Sequence, residues 1–121
     1  MTKSRQELGR WGEALAADYL TEKGYSIINQ NYRSSYGEID LIARHQNSLV
    51  FVEVKTRPSD AYGLPEASVT ARKRDHLIAS AQAYLHKYLN PNIEWRIDVI
   101  AIRKLKTKPT LEIIHFENAI T

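Results

Sequence analysis

The fold is decided by one stretch of the chain, residues 38–56, which reads EIDLIARHQNSLVFVEVKT. It holds two apolar runs separated by the polar residues 45–48, a break of the kind that joins antiparallel strands. The second run is almost continuously apolar until Glu53, which is typical of a central strand covered on both faces. A charged pair at its end, Glu53 and Lys55, is unexpected because burying a charge is costly without a partner.

The rest of the chain predicts helices that cover these strands. Apolar residues recur at spacings of three and four, which predicts one helix over residues 4–23, ended by Gly24, and another over residues 66–89. Their buried stripes are Leu8, Trp11, Leu15 and Tyr19 in the first, and Leu77, Ala81, Leu85 and Tyr88 in the second. Alternation and turn residues predict strands over residues 25–33, 38–44, 49–56, 93–103 and 111–116.

The order α-β-β-β-α-β-β predicts an α/β protein with a mixed central sheet flanked by helices. The helix after the third strand supplies the crossover that a parallel fourth strand needs. With 121 residues, 43% of them hydrophobic, the chain can bury one core, so we expect a single domain over residues 1–121.

Composition narrows the classes of function. Without cysteine, disulfides and thiolate metal sites are excluded, so a metal site would be built from oxygen ligands with at most a histidine. Charged residues interrupt the first twenty positions, and no apolar run reaches about eighteen residues, so we expect a cytoplasmic protein without a membrane segment. The net charge of +3 mildly favours a polyanionic partner.

Pairing the second and third strands through the turn at 45–48 places Asp40 opposite Glu53. Two carboxylates in that position repel each other, and a divalent cation is their natural neutralising partner. Magnesium accepts a few carboxylate or carbonyl oxygens and keeps waters, which suits these two acids and the backbone carbonyl of Val54. Lys55 shares a face with Glu53 and could orient or deprotonate a water for attack on phosphorus.

Each of these residues also has a structural interpretation. Asp40 and Glu53 could be acids at the edge of the sheet, one of them paired with Lys55 or Arg57, although their apolar neighbours favour a function. Glu13 is either an exposed helix carboxylate near Arg10 or a further acid facing the site, and spacing does not decide between them. Glu38 is either an auxiliary acid or a solvated residue at the start of its strand.

The basic residues allow two interpretations as well. The run 72–74 at the start of the second helix is either a solvated face or part of a phosphate clamp. The clamp requires that the run converge in space with the other candidate cations. The candidate nucleic-acid contacts are Arg33, Arg57, Arg72, Lys73 and Arg74, with Lys55. The four histidines show no metal-ligand spacing and are predicted to be surface or packing residues.

Several motifs together carry a resemblance. The principal ones are GEIDLIA at residues 37–43 and FVEVKTR at residues 51–57. The others are GRWGEA at 9–14, NYR at 31–33, and EASVT at 66–70 leading to RKR at 72–74. With these motifs, which cover nearly all of its length, the chain resembles the YraN-type family of uncharacterised bacterial proteins.

That family in turn resembles the PD-(D/E)XK nuclease superfamily, whose fold is that of restriction endonucleases, and particularly archaeal Holliday-junction resolvases. The resemblance implies that Asp40 and Glu53 are metal ligands, that Lys55 is the water-orienting base and that Glu13 is the helix acid. It places Lys73 where the superfamily often has an auxiliary polar residue. Ile39 stands where the literal motif has proline.

The functional hypothesis is an endonuclease that uses Mg²⁺ or Mn²⁺ to hydrolyse phosphodiester bonds in DNA, with branched or structured DNA as the expected substrate. Such a small enzyme often needs two copies to cut two strands, so a homodimer is expected. The alternative from another class is a catalytically silent nucleic-acid-binding adaptor in repair or recombination. A third hypothesis, a protein-interaction module, predicts no affinity for nucleic acid.

Overall fold

A five-stranded mixed sheet joins two helices in the computed structural model, which describes residues 5–57, 69–88, 92–104 and 111–120. The elements are α1 (Arg5–Glu22), β1 (Ser26–Ser34), β2 (Gly37–His45), β3 (Ser48–Arg57), α2 (Ala71–Tyr88), β4 (Glu94–Lys104) and β5 (Leu111–Ile120). The strands lie in sequence order, with β3 and β4 parallel and the other neighbours antiparallel. The predicted α/β class, element order and parallel fourth strand are confirmed.

The hairpin of β2 and β3 has the predicted register. A two-residue turn, in which Gln46 has φ +57°, joins His45 to its partner Ser48. The paired residues continue from there to Leu41 and Val52. Pairing ends at the next step, where Asp40 and Glu53 would face each other. The two strands therefore part at the position of the two acids.

The core forms two layers, one on each face of the sheet. Phe51 of β3 packs with Leu77 and Ala81 of α2 on one face. Val52, the next residue, packs with Leu20 of α1 on the other. Each fully buried large apolar side chain contributes about 1.5–3 kcal/mol to stability. Because Phe51 and Val52 are neighbours on β3, this one strand holds both helices against the sheet. The expectation that β3 is covered on both faces is confirmed.

The stripe predicted for α1 lies beside its true core face. Ala16 and Leu20 are completely buried, whereas Trp11, Leu15 and Tyr19 are partly buried. The small alanine brings the helix backbone close to the sheet. Gly24, with φ +92°, ends α1 as predicted, because the N–H groups of Gly24 and Tyr25 donate to the carbonyls of Thr21 and Leu20. Residue 4, the predicted start, lies outside the described residues.

The predicted start of α2 is wrong. Val69 and Thr70 are not helical, and the helix begins at Ala71; residues 66–68 and 89 lie outside the described residues. The hydroxyl of Thr70 accepts a hydrogen bond from the N–H of Lys73 at 3.1 Å, which makes Thr70 the N-cap. Near the other end, Tyr88, which periodicity assigned to the core, is 55% exposed. Tyr84 lies in the core in its place.

Strand β5 is longer than predicted, since it continues past residue 116 to Ile120, which is buried in the core. Neither α1 nor α2 is both long enough and apolar enough to cross a membrane.

We predict that Gly12 cannot be enlarged. A Cβ at Gly12 would overlap the hydroxyl of Thr56 and lie within 3.1 Å of its Cβ, whereas a Cβ at Gly9 in the same helix would meet nothing within 4 Å. Gly12→Ala should lower the free energy of unfolding by about 1–3 kcal/mol through overpacking. Gly9→Ala should raise it by about 0.5–1 kcal/mol through helix propensity.

Urea denaturation of the two variants tests these opposite changes in the free energy of unfolding. A Gly12→Ala protein as stable as Gly9→Ala would show that α1 does not depend on its close approach to β3.

Candidate functional site

The parting of β2 and β3 opens a cleft beneath the first half of α1. We call it the acid cleft; its volume is about 540 Å³. It is lined by Leu8, Gly9, Glu13, Asp40, Glu53, Val54, Lys55 and Thr56. The structure therefore brings together the five residues that the sequence nominated for metal binding and catalysis, with Glu13 among them rather than on an exposed helix face.

Asp40 is fixed by the backbone of the neighbouring strand. The N–H of Val54 donates to its Oδ2 at 2.8 Å, at the place where the ladder between β2 and β3 has ended. Burial raises the pKa of Asp40 from 3.8 to about 6; the Val54 hydrogen bond opposes this shift and the charge of Glu13 adds to it. In the absence of a cation, this carboxylate therefore resists ionisation.

Glu53 is only 4% exposed, and its two oxygens differ sharply. Oε1 lies 3.4 Å from Lys55 Nζ and 3.7 Å from Lys73 Nζ, whereas Oε2 is buried without a hydrogen-bond partner. Burial and, after it, the charge of Asp40 raise the pKa of Glu53 from 4.5 to about 7, even though both lysines lower it. The oxygen without a partner is the least satisfied polar atom of the acid cleft.

A cluster of three carboxylates extends the acid cleft toward β1. One oxygen from each of Glu13, Glu38 and Asp40 lies within 4.8 Å of the others, so the three could hold a metal ion. Burial also raises the pKa of Glu13, while its hydrogen bond with Asp40 lowers it. Oxygen ligands of this kind suit hard divalent cations such as Mg²⁺, Mn²⁺ and Ca²⁺. Glu38, whose role the sequence left open, thus belongs to the cluster.

Asn31 is the member of the site that the sequence analysis missed. It lies across from Asp40, because the pairs Gln30–Leu41 and Tyr32–Ile39 flank it on β1 and β2. With its amide nitrogen turned to the acids, it donates to Glu13 Oε2 at 3.1 Å and Glu38 Oε1 at 2.8 Å. The only sequence signal for it was its place in the NYR motif, which carried no structural meaning by itself.

A second cleft of about 360 Å³ adjoins the first and shares Gly9 and Glu13 with it. Its lining residues are Gln6, Gly9, Arg10, Glu13, Asn31, Arg33 and Glu38. Arg33 Nε lies 3.5 Å from Glu38 Oε2, across the pairing of β1 with β2. Glu13 therefore forms part of the wall between the two clefts.

The predicted basic contacts do not converge on one point. The cap at Thr70 places Lys73 in the first turn of α2, where it reaches Glu53. Arg33 lies in the second cleft instead. Arg57, Arg72 and Arg74 are absent from the described lining of either cleft, and the last two are exposed on α2. The phosphate clamp as predicted is thus only partly assembled.

A second buried acid, Asp98 of β4, provides an internal comparison. It is completely buried, yet its Oδ1 accepts from Arg96 Nε at 3.0 Å and from the N–H of Asn118 at 2.8 Å, and its Oδ2 lies 2.7 Å from His115 Nε2. Burial raises its pKa, but these hydrogen bonds outweigh burial, and the net pKa is lowered. A fully satisfied acid of this kind is structural, whereas Glu53 is not satisfied.

The fold and the acid cleft define a small α/β protein with a candidate metal site at the point where its sheet opens. The chain belongs to the uncharacterised protein family UPF0102, whose model matches residues 12–102, and the resemblance to the YraN-type family is thereby confirmed. Relatives include UPF0102 proteins of Dehalococcoides mccartyi, 45% identical over 94% of each chain, and of Syntrophotalea carbinolica, 42% identical over 98% of this chain and 95% of the relative.

Among solved structures, the chain is similar to SfsA of Pyrococcus furiosus, determined in complex with Ca²⁺. The TM-score is 0.41 and the sequence identity is 16%, over 88% of this chain. The match spans 60% of the length of the SfsA chain. At this identity and TM-score, the likeness assigns no ligand and no activity to the present chain.

We predict that the acid cleft destabilises the metal-free protein at high pH. Since the pKa values of Asp40 and Glu53 are higher in the folded chain than the ordinary 3.8 and 4.5, the folded state holds protons that the unfolded state has released. The resulting stabilisation is complete below about pH 4 and is lost as the pH rises through about 6 to 7. At pH 8 in a chelator, Asp40→Asn should therefore be more stable than the wild type, by on the order of 1 kcal/mol.

Urea denaturation at pH 5 and pH 8 in a chelator checks the sign. Asp18→Asn, which neutralises an exposed acid of α1, is the matched control and should show no such gain. An Asp40→Asn variant that is less stable than the wild type at pH 8 would mean that the hydrogen bonds of Asp40 outweigh its charge.

Proposed function

We propose that this protein is a metal-dependent endonuclease that hydrolyses phosphodiester bonds in DNA. In this proposal, Asp40, Glu53 and the backbone carbonyl of Val54 hold Mg²⁺ or Mn²⁺, and Glu13 is the further acid. The observation that carries it is Glu53 Oε2, a buried carboxylate oxygen without a hydrogen-bond partner beside other carboxylates. Such an atom is costly unless a cation or donor approaches it.

The donor set fits a hard divalent ion. Around the acid cleft, the side-chain donors are carboxylate oxygens, and the chain contains no cysteine that would favour a softer metal. When bound, Mg²⁺ supplies positive charge that polarises a phosphoryl oxygen and makes a nearby water easier to deprotonate. The hydrogen bond from Val54 to Asp40 keeps that carboxylate oriented before any ion arrives.

In this proposal, Lys55 acts on the attacking water. Its Nζ lies 3.4 Å from Glu53 Oε1, and its side chain is 28% exposed, so it is tethered to the acid yet open to the cleft. From there it can hydrogen-bond to a water and stabilise the negative charge that develops on the phosphoryl oxygens. Lys73 approaches the same carboxylate from α2 and adds a second positive charge.

Cations on both sides of the acids support a nucleic-acid substrate. Arg10 and Arg33 line the second cleft, and Arg57 follows Lys55 by two residues on β3, which places both on one face of the strand. A DNA backbone that crosses the acid cleft would meet positive charge before and after the metal. The preference for branched DNA rests on the family resemblance, and the homodimer rests on the need of a small enzyme for two copies to cut two strands; both remain predictions.

We expect the wild type to cut at least one DNA substrate with Mg²⁺ or Mn²⁺ in a panel of labelled single-stranded, duplex, flap and four-way-junction DNA and RNA. Asp40→Asn should lose about 100-fold or more of that activity, because it removes a metal ligand. Lys55→Gln should lose about as much while still binding Mn²⁺ in a calorimetric titration. The control, Asp18→Asn, should cleave at the wild-type rate.

Different results separate the alternatives. If the wild type cuts none of the substrates but binds DNA with strong salt dependence, the protein is an adaptor rather than a nuclease. If the activity survives in purified Asp40→Asn, it comes from a contaminant or from another site. If light scattering shows a monomer at all concentrations, the predicted homodimer is wrong.

A further inference from the structure

Asn31 holds two carboxylates of the site together. With its amide nitrogen turned to the acids, it donates to Glu13 Oε2 at 3.1 Å and to Glu38 Oε1 at 2.8 Å. Arg33 Nε lies 3.5 Å from the other oxygen of Glu38. Without the amide, Glu13 and Glu38 would face each other, with Asp40 close to both. The neutral amide of Asn31 thus reduces the repulsion between Glu13 and Glu38, as the positive charge of a bound cation would.

The side chain of Asn31 can serve both the metal-free and the metal-bound state of the site. An amide carries two N–H donors at one end and a carbonyl acceptor at the other, and a half-turn about its last torsion exchanges them. Turned one way, the nitrogen satisfies bare carboxylates. Turned the other way, the carbonyl oxygen faces the space that these carboxylates surround, and asparagine carbonyls are ordinary ligands of hard divalent cations.

The backbone at Asn31 limits which residues can do this. Its φ is +53°, a left-handed conformation that asparagine, aspartate and glycine tolerate and that other residues adopt rarely. Among these three, only asparagine offers both a donor and an uncharged oxygen. The conformation also supplies clean tests, since glycine or aspartate can replace Asn31 without strain in the backbone.

We propose that Asn31 is a further metal ligand that works as an amide switch, donating to Glu13 and Glu38 in the metal-free protein and turning its carbonyl oxygen to the cation when one binds. The inference rests on the proposed metal-dependent function and adds a ligand to that site. Glu53 independently points to a cation in the adjoining acid cleft, which Glu13 and Asp40 also line, because its buried oxygen has no hydrogen-bond partner.

The test compares Asn31→Gly and Asn31→Asp with the wild type. Mn²⁺ binding is measured by calorimetry at pH 8, and thermal unfolding is followed in EDTA and in Mn²⁺. Asn31→Gly should bind Mn²⁺ about 10-fold more weakly or worse and melt lower in EDTA, because it lacks both the ligand and the bridge. Asn31→Asp should also melt lower in EDTA, since it adds a fourth carboxylate, but should gain more from Mn²⁺ than the wild type gains.

Asn118→Gly is the matched control. Asn118 also has a positive φ, +50°, but lies on β5, where its N–H donates to Asp98. This variant should bind Mn²⁺ as tightly as the wild type.

Each outcome decides the inference. Equal Mn²⁺ affinity of Asn31→Gly and the wild type would overturn the switch and leave the metal site standing. An Asn31→Asp variant that melts lower in EDTA without a larger gain from Mn²⁺ would overturn it as well, because Asn31 would then be only a structural bridge. If the wild type binds no Mn²⁺, the switch and the proposed function both fail.

Discussion

The hydrogen bond from the Val54 N–H to the Asp40 carboxylate is the interaction on which the rest of the site depends. In a regular hairpin this N–H would donate to a backbone carbonyl, and the two strands would stay paired. Here a side chain takes the place of the neighbouring backbone, so β2 and β3 can part while their polar groups remain satisfied. That replacement makes room for the acid cleft and the acid cluster, and it lets Glu13 of α1 reach them.

Among the residues that the structure describes, the buried acids Asp98 and Glu53 have opposite character. Asp98 has a partner for each oxygen and a lowered pKa, so it joins β4 to β5 through His115 and Asn118. Glu53 has two lysines near one oxygen, no hydrogen-bond partner for the other, and a raised pKa. Burial alone therefore does not make an acid a candidate functional residue; a buried carboxylate oxygen without a hydrogen-bond partner is the more informative sign.

Much of this could be predicted from the sequence because it depends on local rules. The hairpin register follows from the length of one polar break and the alternation of apolar residues, and this register is enough to predict that Asp40 lies beside Glu53. The helix boundary that failed is local as well, but it depends on a cap rather than on the apolar pattern. The start of α2 moved because Thr70 caps the helix, and the apolar pattern does not show where a cap will form.

The parts of the site that the sequence left open involve pairs of residues from different elements. Glu38 and Asn31 belong to the site because they contact each other and Glu13. These three residues share no motif spacing. The positive φ of Asn31 cannot be derived from a strand pattern, which assumes extended backbone throughout. Asp98 was inconspicuous for a similar reason, because an acid that alternates with apolar residues looks solvated until its partners His115 and Asn118 on β5 are known.

The contact between Gly12 and Thr56 fixes the distance between α1 and β3 at the acid cleft. Glu13 follows Gly12 on the helix, and Lys55 precedes Thr56 on the strand, so the packing of Gly12 against the Thr56 side chain limits how far the helix acid can lie from the strand lysine. Substitutions elsewhere in the acid cleft therefore leave its width unchanged as long as Gly12 and Thr56 keep this contact.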